Sequence, residues 1–310
     1  MPLLKSADWP LLLDIYFVLG GLAGGAFVIA TIAHLLGGEK NREVVRTGYY
    51  LALLAVIPAP LILIVDLGMP SRFLHMLMVS KPDPTIGMSA INLGSIHLKP
   101  FSPMNMGAWA LGGFGLFALL AALSLFLEDI KRARDLSAFR TTVGVIGGFF
   151  GFFLAAYPGV LLGATARPLF QNGSFLGAMF LVVGVTSGGA AIALILSLRG
   201  QEIGGSLSRL RRIIIPTLLL QLVTLALFLL TVGMSGEEGA AQSLALLLSG
   251  PYSLTFWVGA VVVGSIIPLV LEVMGRQRVN PGLVAISAIL ILVGGFMVKY
   301  VIIAAGQVVL

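Results

Sequence analysis

The chain has no cysteine, and only three of its 310 residues are histidines: His34, His75 and His97. The first absence removes disulfides and any iron–sulfur cluster held by the chain's own thiolates. The second counts against haem. A membrane cytochrome b is held by paired axial histidines within its helices, and only His34 falls in an apolar run. Charge is scarce as well: 10% of residues are Asp, Glu, Lys or Arg, against about 25% in an ordinary soluble domain. The net charge of +6 does not point to nucleic acid. The basic residues sit between apolar runs, where they orient a membrane protein and meet anionic head groups.

What fills the chain is apolar: 58% of residues are hydrophobic, in long runs separated by short polar stretches. A membrane helix needs about 20 such residues at ~1.5 Å each. Eight segments qualify: Pro10 to Leu36, Gly48 to Leu67, Pro103 to Leu127, Val143 to Ala166, Ser174 to Leu198, Ile213 to Val232, Tyr252 to Val273 and Leu283 to Ala305. The first is too long for the core of a signal peptide and reads as a retained span. No segment shows the alternation of a membrane barrel. The expected fold is therefore an all-α integral membrane protein of eight helices. Glycine-rich starts to spans one and five suggest two four-helix bundles, residues 1–170 and 171–310.

Lys40, Arg42, Arg46, Lys131, Arg132, Arg134, Arg140, Arg199, Arg209, Arg211, Arg212, Arg276 and Arg278 follow the odd spans, thirteen in all. Six basic residues, Lys5, Arg72, Lys81, Lys99, Arg167 and Lys299, lie towards the other side. The positive-inside rule puts the larger group in the cytoplasm and both termini outside. The one long connection, residues 68–102, is then external, and reads either as a surface for docking another subunit or as an ordered cap.

Ionisable groups near the membrane need a role or an escape to the interface. Most of them gather at the face of the chain ends. Asp14 lies ~6 Å inside Pro10, Asp66 closes span two with Arg72 and His75 just beyond, Arg167 closes span four, and Lys299 lies about two turns inside the end of span eight. Lys299 and Arg167 are long enough to snorkel, and Asp66 can cap or pair with Arg72. Asp14 is short: it must pair with a cation, be protonated or face a polar cavity. Glu128, Asp129 and Glu272, at the other ends of their helices among Arg and Lys, read as solvated interface residues. Tyr157, ~12 Å inside span four and followed by Pro158, carries a phenol that needs a partner beside a freed carbonyl.

Several stretches extend the pattern: GGLAGGAF at Gly20 to Phe27, DLGMPSRFLHML at Asp66 to Leu77, SPMNMGAW at Ser102 to Trp109, YPGVLLGATARPLF at Tyr157 to Phe170, SGGAA at Ser187 to Ala191, and GGFMVKY with a later AGQ between Gly294 and Gln307. In this order the set resembles the NrfD family, the membrane subunits of polysulfide reductase and related molybdopterin oxidoreductases. Asn105 and Met106 depart from the more usual Ser-Trp, and Phe170 stands where Trp is common.

The resemblance implies an eight-helix, haem-free subunit of the prokaryotic cytoplasmic membrane. Such a subunit binds a quinone, menaquinone or ubiquinone, near its external face. Its electron partner is an iron–sulfur subunit with four cubane clusters, attached to a molybdopterin catalytic subunit that holds the substrate site. Tyr157 matches the family tyrosine at the quinone head group. Asp14, Asp66, Arg72, His75, Arg167 and Lys299 complete the expected site or its rim. A secondary transporter or ion-translocating subunit is the alternative, since Pro58, Pro60, Pro158 and Pro268 lie in or near spans. It predicts polar residues at mid-depth.

Overall fold

The computed structural model describes residues 9–77, 102–130, 135–199, 204–275 and 280–307. Eight helices are long and apolar enough to cross a membrane. They are α1 (Leu11–Gly37), α2 (Arg42–Asp66), α3 (Pro103–Asp129), α4 (Ser137–Gly163), α5 (Leu176–Ser197), α6 (Gly205–Gly233), α7 (Thr255–Met274) and α8 (Pro281–Gln307). There is no strand among the described residues. Most of the expected docking connection, residues 78–101, lies outside the described residues. So do Lys5, Lys81, His97, Lys99, Lys131, Arg132, Arg134, Arg276 and Arg278.

Each expected span corresponds to one helix, but three begin well before their apolar runs. α2 starts at Arg42 rather than Gly48, α4 at Ser137 rather than Val143, and α6 at Gly205 rather than Ile213. In each, the helix opens on a polar turn, so an apolar run marks the buried length and not the whole helix. Proline sets several starts. Pro103 and Pro168 open helices where a missing N–H costs nothing, and Ser102 caps α3 by accepting from the Asn105 amide at 3.4 Å. Pro58 divides α2 into Arg42–Val56 and Pro58–Asp66. α7 begins as a π-helix, Thr255–Ile266, in which the Ser265 hydroxyl donates to the Ala260 carbonyl, five residues back, at 3.0 Å.

Lipid tails compete with Leu for apolar contact, so helices in a membrane associate through close packing. Here glycines set that closeness. Gly24 of α1 lies against Gly151 of α4, and Gly25 against the Gly184 carbonyl of α5, so that α1 is clamped between the two. Gly264 of α7 meets Gly294 of α8 backbone to backbone. α1 and α5 are the most enclosed spans. Outward positions such as Leu54 and Phe149 stay exposed, as lipid-facing residues do. Between α6 and α7, buried Gln221 donates to Ser265 Oγ at 2.9 Å. This pair lies within the spans, and each satisfies the other.

Two of the acids at the end of the bundle away from the chain termini, Glu272 and Glu128, are not solvated as expected. Glu272 is 2% exposed and accepts from Arg211 Nε at 2.6 Å, while Glu128 takes Arg140 at 2.9 Å with both side chains largely enclosed. Asp129 holds Arg42 and Arg46, and Glu43 holds Arg199. A carboxylate at a helix end was read as reaching water; here the arginines of neighbouring helices fold over it first. At the chain-end face a short amphipathic helix, Glu238–Leu248, joins α6 to α7, burying Ala240, Ser243 and Leu247. Asn172 Nδ2 donates to Glu237 Oε2 at 2.7 Å across that face.

Candidate functional site

Eight spans return the chain to the side on which it started, and the two ends meet there. The Trp9 amide donates to Gln307 Oε1 at 2.5 Å, Gln307 Nε2 donates back to the Trp9 carbonyl at 3.4 Å, and Arg167 Nη1 donates to the Gln307 carbonyl at 2.8 Å. Arg167 is half-buried as the residue before the short helix Pro168–Gln171. It therefore ties the end of α4 to the end of α8 rather than reaching for the interface. Phe170, where a larger Trp would be usual, packs its ring on Gly306.

Inside this clasp lie the buried ionisable groups. Lys299 does not snorkel. It is 1% exposed, and its Nζ donates to the Phe17 carbonyl of α1 at 2.6 Å and lies 5.4 Å from the centre of the Phe180 ring. Gly21, one turn after Phe17, makes this possible, because a Cβ there would sit 2.5 Å from Nζ. Gly21, which also meets the Gly184 backbone of α5, thus makes room for a cation as well as for a helix. No carboxylate among the described residues lies within ion-pair distance of Lys299.

Asp14 stands in the first turn of α1, ~4.5 Å inside its start and one turn from Phe17. It is 3% exposed, and its Oδ1 is buried with no hydrogen-bond partner among the described residues. Pairing with a cation, one of the three readings open to it, is not found there. The positive end of the helix dipole offsets part of the burial cost but leaves the oxygen without a donor.

Tyr157, ~9 Å inside the end of α4, is 6% exposed. Its ring stacks on Phe153 and lies against Gly107 of α3, where no side chain would fit. Its phenol has no hydrogen-bond partner among the described residues. Tyr16 of α1, 2% exposed, lies in its neighbourhood.

The remaining expected residues form an outer rim. Asp66 and Arg72 are exposed and do not pair with each other; His75 is half-buried in the 3-10 helix Pro70–Leu77. That helix is fixed to α3 by Asn105, whose Nδ2 donates to the Met76 carbonyl at 2.8 Å. Asn105 is two residues from Gly107, so the rim, α3 and Tyr157 form one mechanical unit. The structure thus places Asp14 and the Lys299 ammonium along the outer half of α1 and Tyr157 in the outer part of α4, with Arg167 and Gln307 tying the helix ends beyond them, and leaves Asp66, Arg72 and His75 at the edge.

Tyr16, Gln307 and Gly107 were not expected in the site. Gln307 carried a signal in the AGQ stretch. Tyr16 and Gly107 carried none, because their places follow from which helices are neighbours. An orphaned buried carboxyl oxygen and an unpartnered phenol are groups that a ligand with carbonyl or hydroxyl oxygens would satisfy.

The family model described as "Polysulphide reductase, NrfD" matches residues 4–310. Similar proteins include a polysulfide reductase subunit of Wolinella succinogenes, 28% identical over 96% of this chain and 93% of its own length. They also include the NrfD homolog of Haemophilus influenzae, 24% identical over 96% and 94%, and NrfD of Escherichia coli K12, 24% identical over 97% and 94%. Matched along nearly its whole length, this multi-pass membrane chain belongs to the NrfD family.

Proposed function

We propose that the chain is the haem-free, quinone-reactive membrane subunit of a respiratory oxidoreductase complex. It exchanges electrons with an iron–sulfur subunit carrying four cubane clusters, which serves a molybdopterin catalytic subunit. The Wolinella relative is by its name one chain of a multi-chain polysulfide reductase, which supports this reading. The protein lies in a prokaryotic cytoplasmic membrane with its ends external, on the side that carries fewer basic residues.

The observation that carries the site is the buried, unpartnered Asp14 oxygen in the same outer half of the bundle as the unpartnered Tyr157 phenol. A bound quinone supplies two-electron, two-proton redox chemistry. The chain's own residues do the rest. The Tyr157 phenol donates a hydrogen bond to a ligand oxygen, and the Asp14 carboxyl takes up or releases a proton beside it. Lys299, anchored on the α1 backbone, contributes a fixed donor. Arg167, Gln307 and Trp9 hold the outer ends of α1, α4 and α8 in register and exclude water from that end.

Reconstitution with the partner subunits and measurement of quinol-linked turnover tests this. Tyr157→Phe and Asp14→Asn are each expected to lower turnover by about a hundredfold, the scale of a lost acid–base group, while co-purification with the partners is retained. Normal turnover in the double variant would remove both residues from the site.

A further inference from the structure

On the face opposite the chain ends, a cavity of about 300 Å³ lies between the end of α1, the turn Gly38–Asn41, the start of α2 and the start of α6. Three cations line it, Lys40, Arg209 and Arg212, and among the described residues no acid does. The contrast with their neighbours is complete among the described residues. Arg42, Arg46, Arg140, Arg199 and Arg211 on the same face each have a carboxylate partner, whereas the three that line the cavity have none. Among the described residues, the unpaired positive charge of this face is therefore collected at one opening.

The cavity is built. Arg209 Nη2 donates to the Lys40 carbonyl and to Ser206 Oγ, which holds the guanidinium against the wall, and its Nε is buried without an acceptor. The remainder is apolar: Ile32, Leu36 and Ile213 line it, and Leu36 is 83% exposed. Ile32 lies five residues, ~7.5 Å, inside the end of α1, so this wall runs from the rim towards the hydrocarbon. A ring of donors with a lipid-facing apolar flank matches an amphiphile, not a free ion. The volume suits a head group, with acyl chains left to run along α1 and α6.

We propose that this cavity binds the phosphodiester head group of an anionic phospholipid in the leaflet opposite the chain ends. The phosphate accepts from Arg209, Lys40 and Arg212, and the bound lipid bridges α1, α2 and α6.

The test is native mass spectrometry of the purified full-length protein, delipidated in mild detergent and titrated with phosphatidylglycerol or with phosphatidylcholine of the same acyl composition. One phosphatidylglycerol is expected to bind at least tenfold more tightly than phosphatidylcholine. The Lys40→Gln/Arg209→Gln double variant should weaken it roughly thirtyfold, from two lost charges. Arg199→Gln, which removes a paired cation of the same face, should leave it unchanged. Arg212 is exposed, so Arg212→Gln tests the site without a burden on folding and should weaken binding roughly fivefold. Equal binding of the two lipids, or no loss in either cavity variant, would overturn the proposal. So would displacement of the lipid by millimolar inorganic phosphate, which would identify a site for the free ion instead.

Discussion

The two ends of the bundle treat charge in opposite ways. At the end away from the chain termini every described acid of α2, α3 and α7 is held by arginine, including the deeply enclosed Glu272 and Arg211. At the terminal end Asp14, in the first turn of α1, and Lys299, whose Nζ donates to the Phe17 carbonyl of that helix, are equally enclosed and form no ion pair. Both arrangements cost desolvation, but only the first recovers it within the protein. The pairs at one end build a rigid base. The unpaired groups at the other are stable only if something besides the protein, a proton or a ligand, completes them.

That difference can be broken experimentally, beginning where the effect is largest. Glu272→Ala strands Arg211 in the interior and should cost about 3–5 kcal/mol in the denaturation of the purified protein. Asp14→Asn should change stability by less than ~0.5 kcal/mol while abolishing most quinol-linked turnover, since it disturbs no internal contact. Similar stability losses in the two variants would erase the distinction between ends. Next, Gly184→Leu forces α5 away from Gly21 of α1, and about 1–3 kcal/mol of stability should go with it. Because Lys299 is seated at that same contact, turnover should fall too; full turnover would separate the helix packing from the site. Smallest is Arg199→Gln. This pair with Glu43 is nearly half exposed on both sides, and a melting curve should move by no more than the equivalent of about 0.5 kcal/mol.

The spans were legible because a bilayer imposes one length and one polarity on every helix. Asp14 and Tyr157 stood out because a short acid and a phenol inside a span have no escape. What stayed hidden depended on which helices are neighbours. Glu272 looked like a solvated helix end until Arg211 of α6 was found over it. Lys299 looked able to reach the interface until its acceptor proved to be on α1, 282 positions earlier in the sequence. Asn105, visible only as a departure from the family pattern, turned out to fix the 3-10 helix to α3. The Gln221–Ser265 pair escaped notice because each residue alone is ordinary in a membrane helix.

The Lys299 contact has a consequence for genetics. Its acceptor is the main-chain oxygen of Phe17, which every amino acid shares, so no side-chain replacement at position 17 deletes it. A systematic alanine scan of the first helix would pass over that position and report only the loss of an aromatic ring. The heritable information for this interaction resides in two codons far apart in the gene, the lysine at 299 and the glycine at 21. A suppressor screen begun from a bulky residue at 21 should return shorter side chains at 299.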